Sequence, residues 1–229
     1  TLVRHESPSE DRTSVIAAAK FVERLAAPLG GRVKWHHQKR YGDLLEIHFG
    51  QARSSRKPII LLGHLDTVWP LGTLKKMPWR EEKGRYWGPG VLDMKAGVIM
   101  ALAAVKALQM NHLSRPVTLL LNSDEEVGSP VSRQITERLA QKAAAVFVLE
   151  PAQGLAYKTA RKGVGFYNVQ VTGVAAHSGV DFERGHSAVL ELAKLVQTIS
   201  SFTKLDRKLT VNGGVVAGGT RSNVVAETA

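Results

Sequence analysis

No cysteine occurs among the 229 residues. Disulfide staples, a cysteine nucleophile and thiolate metal ligands are therefore excluded, and any metal bound here must be held by His, Asp and Glu. The absence does not fix a compartment. The chain starts Thr1-Leu2-Val3-Arg4-His5-Glu6, with neither an initiating Met nor an apolar leader. A cytoplasmic location and a periplasmic or secreted one after leader removal are both compatible with that start. Long apolar runs are missing too: none approaches the roughly 18 residues that suggest a membrane span. Acidic residues are in deficit, 20 Asp and Glu against 31 Lys and Arg, for a net charge of +11. That excess invites a nucleic-acid reading, yet it is spread over both halves. The densest patches, Arg53 to Lys57 and Lys75-Lys76, are short, and no helix-turn-helix, zinc-finger or RNA-recognition pattern adjoins them. A solvated basic surface, or attraction for an acidic substrate, explains the charge equally well. The expectation is a small-molecule partner, with neither nucleic acid nor membrane.

What is present reads as a layered α/β protein. Ser7-Pro8-Ser9-Glu10 resembles a helix start, with a cap oxygen and a proline tolerated in the first turn. Val15, Ile16, Ala19, Val22, Leu25, Ala26 and Leu29 then recur at helical spacing until Gly30-Gly31. Strands are expected at 33–37 and 44–49, and a fully buried one at 58–63. A helix at 95–110, a strand at 117–121, a helix at 131–141 and a strand at 145–149 follow. Buried strands alternating with helices predict a mostly parallel sheet flanked by helices over residues 1–160. After that the pattern changes: alternation at 165–173, a helix at 187–201, a strand at 209–217 and another from Asn223. Residues 161–229 are thus expected to form a smaller, incomplete α+β domain.

The polar residues with chemistry fall just past the ends of the buried strands, where such sheets place their sites. His64 and Asp66 follow the first strand, Asp124-Glu125-Glu126 the second and Glu150 the third. Asp93 stands immediately before the long helix. Any one of these acids alone reads as an exposed loop carboxylate. All of them at equivalent strand ends describe an oxygen- and nitrogen-rich site suited to Zn²⁺ or a similar ion, whose charge would offset their mutual repulsion. Asp66, two residues after His64, is placed to orient it. His36-His37 and His186 have no identifiable partners and read as surface residues.

Taken together, Gly63-His64-Leu65-Asp66-Thr67-Val68, Gly88-Pro89-Gly90-Val91-Leu92-Asp93-Met94-Lys95-Ala96-Gly97, Glu125-Glu126 with Gly128, Glu150-Pro151, Ala176-His177-Ser178-Gly179 and Asn223-Val224-Val225 resemble the M20 family of metallopeptidases and deacylases, its glutamate-carboxypeptidase-like branch especially. The resemblance implies two zinc ions bridged by Asp93, with His64 and Glu150 at the first and Glu126 at the second. Glu125 would be the general base toward metal-activated water, and Asp66 would support His64. His177 would reach the tetrahedral oxyanion, in this family often from a dimer partner, so that a homodimer through residues 161–229 is expected. Beside the resemblance, Lys158, Arg221 and Asn223 are candidates to hold a substrate carboxylate, Arg bidentately and Lys as a point charge, although either cation taken alone reads as a surface charge. The implied substrate is a small peptide or N-acyl amino acid cleaved beside a free carboxylate. The resemblance also implies a cis peptide bond between Asp93 and Met94.

Two departures stand beside this. Family members continue past the matched stretch and bring a further histidine to the second metal, and their usual proline after Asn-Val-Val is Ala226 here. The sequence is therefore expected to be a fragment or a natural truncation, and a catalytically inactive metal- or partner-binding remnant is the alternative to a hydrolase.

Overall fold

The structure, a computed structural model, describes residues 1–50, 54–112, 115–152, 154 and 156–229. Arg53, at the head of one basic patch, lies outside the described residues; Lys75 and Lys76 belong to the short helix α2 (Thr73–Lys76). The chain divides into two compact units, Thr1–Thr159 and Ala160–Ala229.

In the first unit, helix α1 spans Arg12–Ala26. Its cap is Asp11, whose carboxylate accepts the Ser14 N–H at 2.8 Å, four residues beyond the expected start. An ionised cap is well suited to the positive end of a helix. Val15, Ala18, Ala19, Val22 and Ala26 line its fully buried face, and Gly30 ends the run in the left-handed region at φ 68°. The sheet comprises β1 (Arg32–His36), β2 (Leu44–Phe49), β3 (Ile59–His64), β6 (Val117–Asn122) and β7 (Ala145–Val148), in the order β1-β2-β6-β3-β7. β3 is parallel to both β6 and β7, while β2 runs antiparallel between β1 and β6. Only β2 opposes the common direction. A two-stranded hairpin, β4 (Arg80–Glu82) with β5 (Arg85–Trp87), escaped the sequence reading. Its signal was the Lys83-Gly84 turn, where both residues adopt positive φ as a tight hairpin requires.

Leu45, Ile47, Phe49, Val117, Leu119 and Leu121 pack one face of the sheet against α1 and against Val98, Ala101, Leu102 and Val105 of α3 (Ala96–Met110). Small alanines on both helices let them lie close to the strands. On the opposite face, Asn122 Nδ2 sits 3.4 Å from Thr136 Oγ1 of α4 (Arg133–Ala140). That face also buries a charge. Glu46, 2% exposed, has Oε2 2.6 Å from His36 Nε2 and Oε1 2.8 Å from His48 Nε2. The pleat explains this grouping: His48 lies two residues along the same strand face, and Lys34 stands directly opposite Glu46. His36 is therefore a partnered sheet residue and not the surface residue expected; His37 likewise bonds Asp43 at 2.7 Å.

The second unit holds the expected helix as α5 (Ala188–Ser200), capped by Ser187 Oγ on Leu190 N at 3.2 Å. The expected strands at 165–173, at 209–217 and from Asn223 are not strands among the described residues. Backbone bonds do link Val171 with Ala229 and Gly173 with Glu227, but Ser178 pairs with Asn223 and Val225 with Ala176, one residue out of step. Between these stretches Val174 bonds His186 instead. A ladder interrupted by such a slip leaves bridges in place of a strand. The 209–217 stretch keeps a single bridge, Lys204 to Leu209, and side-chain bonds from Thr203 to Val211. Alternation marked a chain able to lie on a sheet, and these stretches have no continuous neighbour to lie on.

The hydrogen bond from His48 leads the causes that lower the Glu46 pKa to about 2, with burial opposing and His36 adding to the fall. A depressed carboxylate stabilises the fold above its ordinary value of 4.5, and that contribution is lost as pH falls from 4.5 toward about 2. Glu46→Gln should cost about 1–3 kcal/mol near neutral pH, because the imidazole donors keep only a weaker acceptor. It should also flatten the acid limb of stability. Urea unfolding across a pH series measures both, and a variant as acid-sensitive as the parent would remove Glu46 from this role.

Candidate metal centre

Parallel strands end at one edge, and that register assembles the site. His64 is the last residue of β3 and pairs with Asn122 at the end of β6, while Leu62 pairs with Val148 at the end of β7. The loops leaving these strands carry Asp66, Glu125 with Glu126, and Glu150 to the same place. Asp93 arrives separately, in the turn Val91–Lys95 at the head of α3. Asp93 and Met94 depart there from helical φ/ψ, and the bond between them is cis, as the family resemblance implied. Met94 is buried, and its Sδ accepts the His64 N–H at 3.3 Å, tying the turn to the end of β3.

His64, 1% exposed, is the centre of the group. Its Nε2 lies 3.1 Å from Asp93 Oδ1, 3.4 Å from Glu150 Oε1 and 3.8 Å from Glu125 Oε2. On the other side of the ring, Nδ1 donates to the backbone carbonyl of Asp66 at 2.9 Å. That bond fixes the ring plane and leaves Nε2 facing the acids. The Asp66 carboxylate, itself fully buried, accepts the backbone N–H of Glu125 on Oδ1 at 3.2 Å and that of Glu126 on Oδ2 at 3.1 Å. One carboxylate thus sets the backbone of the adjacent glutamates as well as flanking the imidazole.

The electrostatics call for a cation. Burial would lower the His64 pKa, yet hydrogen bonds to Asp66 and Glu150 and the charges of Asp66 and Glu125 raise it to about 11. The direction of that shift shows that this cluster favours positive charge at Nε2. Glu125 is pushed up by burial first; His64 opposes, and the like charges of Glu150, Asp66 and Asp93 add to the rise. Glu126 is likewise raised by burial and then by Asp93. His64, Asp93 and Glu150 place their ligand atoms within 4.8 Å of one another and could hold a metal ion. One imidazole nitrogen and two carboxylates, with Asp93 and Glu125 half open to solvent, fit a divalent ion of the zinc type that keeps a position for water.

The structure therefore brings together His64, Asp66, Asp93, Glu125 and Glu150, with Glu126 within electrostatic reach of Asp93. Lys158 is exposed in the first unit. His177, Arg221 and Asn223 belong to the second, where His177 bridges Val224 and the Ser178 N–H donates to the Asn223 carbonyl at 3.0 Å. His177 Nδ1 accepts from Gly179 N at 3.1 Å. Three residues near the centre were missed. Ser9 and Ser7 were read as helix-cap residues; instead Ser9 Oγ donates to Asp66 Oδ2 at 2.7 Å and Ser7 Oγ to the Leu65 carbonyl at 2.6 Å. Lys95 is 2% exposed and donates to the His5 carbonyl at 2.6 Å, and burial pulls its pKa down to about 8. Asp124, expected with Glu125 and Glu126 in the converging group, instead turns away from the cluster, accepting Val131 N at 2.7 Å and Ser132 N at 3.2 Å. The Asp-Met-Lys run was a usable signal for Lys95; nothing local distinguishes the serines from helix caps.

With this geometry in hand, comparison with known proteins is informative. The sequence pattern of Peptidase family M20/M25/M40 matches residues 60–228. Carboxypeptidase G2 from Pseudomonas sp. (strain RS-16) is 30% identical over 234 residues, covering 100% of this chain and 56% of that protein. Acetylornithine deacetylase from Myxococcus xanthus is 30% identical over 188 residues, 77% of this chain and 48% of the relative. The chain thus spans about half the length of the curated relatives it matches. Among solved structures, aminopeptidase PepT from Bacillus cereus superposes with a TM-score of 0.73 at 21% identity, over 99% of this chain and 61% of that one. An M20 family metallo-carboxypeptidase from Sulfolobus solfataricus gives 0.64 at 16% identity, over 99% and 67%. At such identities the structural likeness is one of fold.

The exit of β7 toward Glu150 is held by a close approach. A Cβ at Gly97, in the first turn of α3, would stand 2.2 Å from the Leu149 carbonyl oxygen. Gly97→Ala must therefore displace the backbone next to Glu150, at a cost of about 1–3 kcal/mol. Thermal unfolding should show the loss, and metal analysis after dialysis should show lower retention. Parent-like values in both would mean that Glu150 is positioned by other contacts.

Proposed function

The chain belongs to peptidase family M20/M25/M40, and from that premise we propose that it is the metal-binding part of a zinc-dependent hydrolase cleaving an amide or peptide bond beside a free carboxylate. One observation carries the reading: a buried imidazole nitrogen with three carboxylates within 3.8 Å, at the common end of parallel strands. The names of two relatives, carboxypeptidase G2 and acetylornithine deacetylase, are in keeping with that bond type.

In this proposal His64, Asp93 and Glu150 hold one zinc ion, and Asp93 with Glu126 contributes to a second. Zinc bound there would polarise the scissile carbonyl and make water at the site more acidic. Glu125 is the general base. Its backbone is fixed by Asp66, and its carboxylate is half exposed toward the opening. Burial and the neighbouring acids raise its proton affinity, which suits a group that takes a proton from the attacking water and returns it to the leaving nitrogen. The new C–O bond then replaces the C–N bond, and the amine leaves protonated. Asp66 acts only by positioning. His177 is assigned to the oxyanion on the strength of its family motif, and Lys158, Arg221 and Asn223 to the substrate carboxylate by the chemistry of their side chains. Pairing of two chains through residues 161–229 belongs to the same proposal, and sedimentation velocity tests it.

Metal content and turnover separate these roles. The parent chain should retain about one tightly held zinc after dialysis, as three protein ligands permit. Glu125→Gln should keep that metal and abolish turnover of N-acyl amino acids and glutamyl dipeptides, whereas His64→Ala and Glu150→Ala should lose the metal. If Glu125→Gln loses metal as badly as His64→Ala, the base assignment is wrong. Metal without turnover in the intact protein selects the inactive alternative.

The charge-assisted contact to substrate has its own measure. Amidation of the substrate carboxylate should lower kcat/KM by about tenfold or more, the loss of a hydrogen bond to a charged group worth roughly 1.5–3 kcal/mol. Equal rates on acid and amide would place substrate recognition elsewhere.

A further inference from the structure

The N-terminal segment ahead of α1 is bonded to the loops of the metal centre at every polar residue from His5 to Ser9. The His5 carbonyl accepts Lys95 Nζ at 2.6 Å. The Glu6 carboxylate accepts Gly72 N at 2.8 Å and Leu74 N at 2.7 Å. Thr67 N donates to the Ser7 carbonyl at 2.8 Å and Ser9 N to the Thr67 carbonyl at 3.3 Å, so that Pro8 and Thr67 form a parallel rung. With Ser7 Oγ on the Leu65 carbonyl at 2.6 Å, residues 7–9 are a strap laid along the loop that carries Asp66. Pro8 stiffens that strap by fixing its own φ.

We propose that Ser9 is a positioning residue of the metal centre, acting through Asp66. Ser9 is 4% exposed, and its hydroxyl donates to Asp66 Oδ2 at 2.7 Å, shorter than either backbone bond to that carboxylate. An aspartate's χ2 has a broad, roughly two-fold preference, so the carboxylate needs external bonds to set its plane. Here the plane decides three things together. Oδ1 receives the Glu125 N–H and lies 3.4 Å from His64 Nδ1, while Oδ2 receives the Glu126 N–H. Pinning Oδ2 with the Ser9 hydroxyl aligns both backbone donors with their oxygens and holds the side of the imidazole. Ser9 touches none of the proposed ligand atoms, and its effect on them passes through one carboxylate.

This inference rests on the zinc reading above, and zinc affinity distinguishes the failure of each. Chelator competition with Zn²⁺ should show the parent binding tightly and Ser9→Ala binding about tenfold or more weaker, as loss of an outer hydrogen-bond partner to a metal site generally does. Ser9→Thr, which keeps the hydroxyl, should recover affinity. The visible spectrum of the Co²⁺-loaded protein should shift in Ser9→Ala and return in Ser9→Thr. A purely structural role would instead lower the melting temperature of the metal-free variants and leave zinc affinity and the Co²⁺ spectrum alone. Parent-like zinc affinity in Ser9→Ala overturns the role of Ser9 while leaving the metal centre standing. A parent that binds no zinc overturns both. Should Ser9→Thr fail to fold, S9A/D66N supplies the decision: no loss beyond that of Asp66→Asn supports the route through Asp66, and additive losses overturn it.

Discussion

The arrangement of this protein turns on negative charge gathered around one buried imidazole. Asp66, Asp93, Glu125 and Glu150 all act electrostatically on or beside His64, in a place where water screens them only in part. Such a cluster is costly unless a cation occupies it. The fold tolerates it because each contributing loop is anchored by something other than the charges themselves: a strand end, a helix start or a backbone hydrogen bond. The rise in the His64 pKa shows which charge the cluster calls for, and the direction of Nε2 shows where.

Asp66 connects that electrostatic demand to the rest of the molecule. Its backbone carbonyl sets the His64 ring, its side chain sets the backbone of Glu125 and Glu126, and the Ser9 hydroxyl sets its side chain in turn. Two neighbouring glutamates are thereby given different surroundings by position alone. Glu125 lies 3.8 Å from the imidazole nitrogen, whereas Glu126 responds chiefly to burial and Asp93. Two side chains of the same chemistry can therefore stand side by side in different electrostatic surroundings.

A second buried carboxylate shows how differently the same fold treats charge. Glu46 also sits in the sheet, but two imidazoles donate to its two oxygens and a lysine stands opposite. Its charge is neutralised by hydrogen bonds and its pKa falls, whereas the pKa values of Glu125 and Glu126 rise. A carboxylate neutralised by donors stabilises a sheet; carboxylates crowded by like charge are suited to binding a cation.

Much of this was legible in the chain itself. The apolar runs before His64, Asp124 and Glu150 announced parallel strands, and parallel strands must deliver the residues that follow them to one edge; the burial expected of all three holds throughout β6 and in part of β3, whereas β7 is exposed along its length. The helix at 95–110, the mostly parallel sheet and the convergence of His64, Asp66, Asp93, Glu125 and Glu150 followed from local periodicity and spacing. What the chain alone did not reveal depends on partners remote in sequence. Ser7 and Ser9 bear the marks of a helix cap, and only contact with Leu65 and Asp66, 58 and 57 residues away, makes them part of the site. Lys95 joins His5 across 90 residues, and His36 finds Glu46 only through strand register. The strands expected at 165–173 and 209–217 failed for the same reason in reverse. Alternation is a local property, whereas a strand exists only when a neighbour supplies a continuous row of backbone partners. Sequence determined which residues could do chemistry and which segments could be strands or helices; tertiary structure decided which hydrogen-bond partners each received, because those bonds join residues that no local pattern relates.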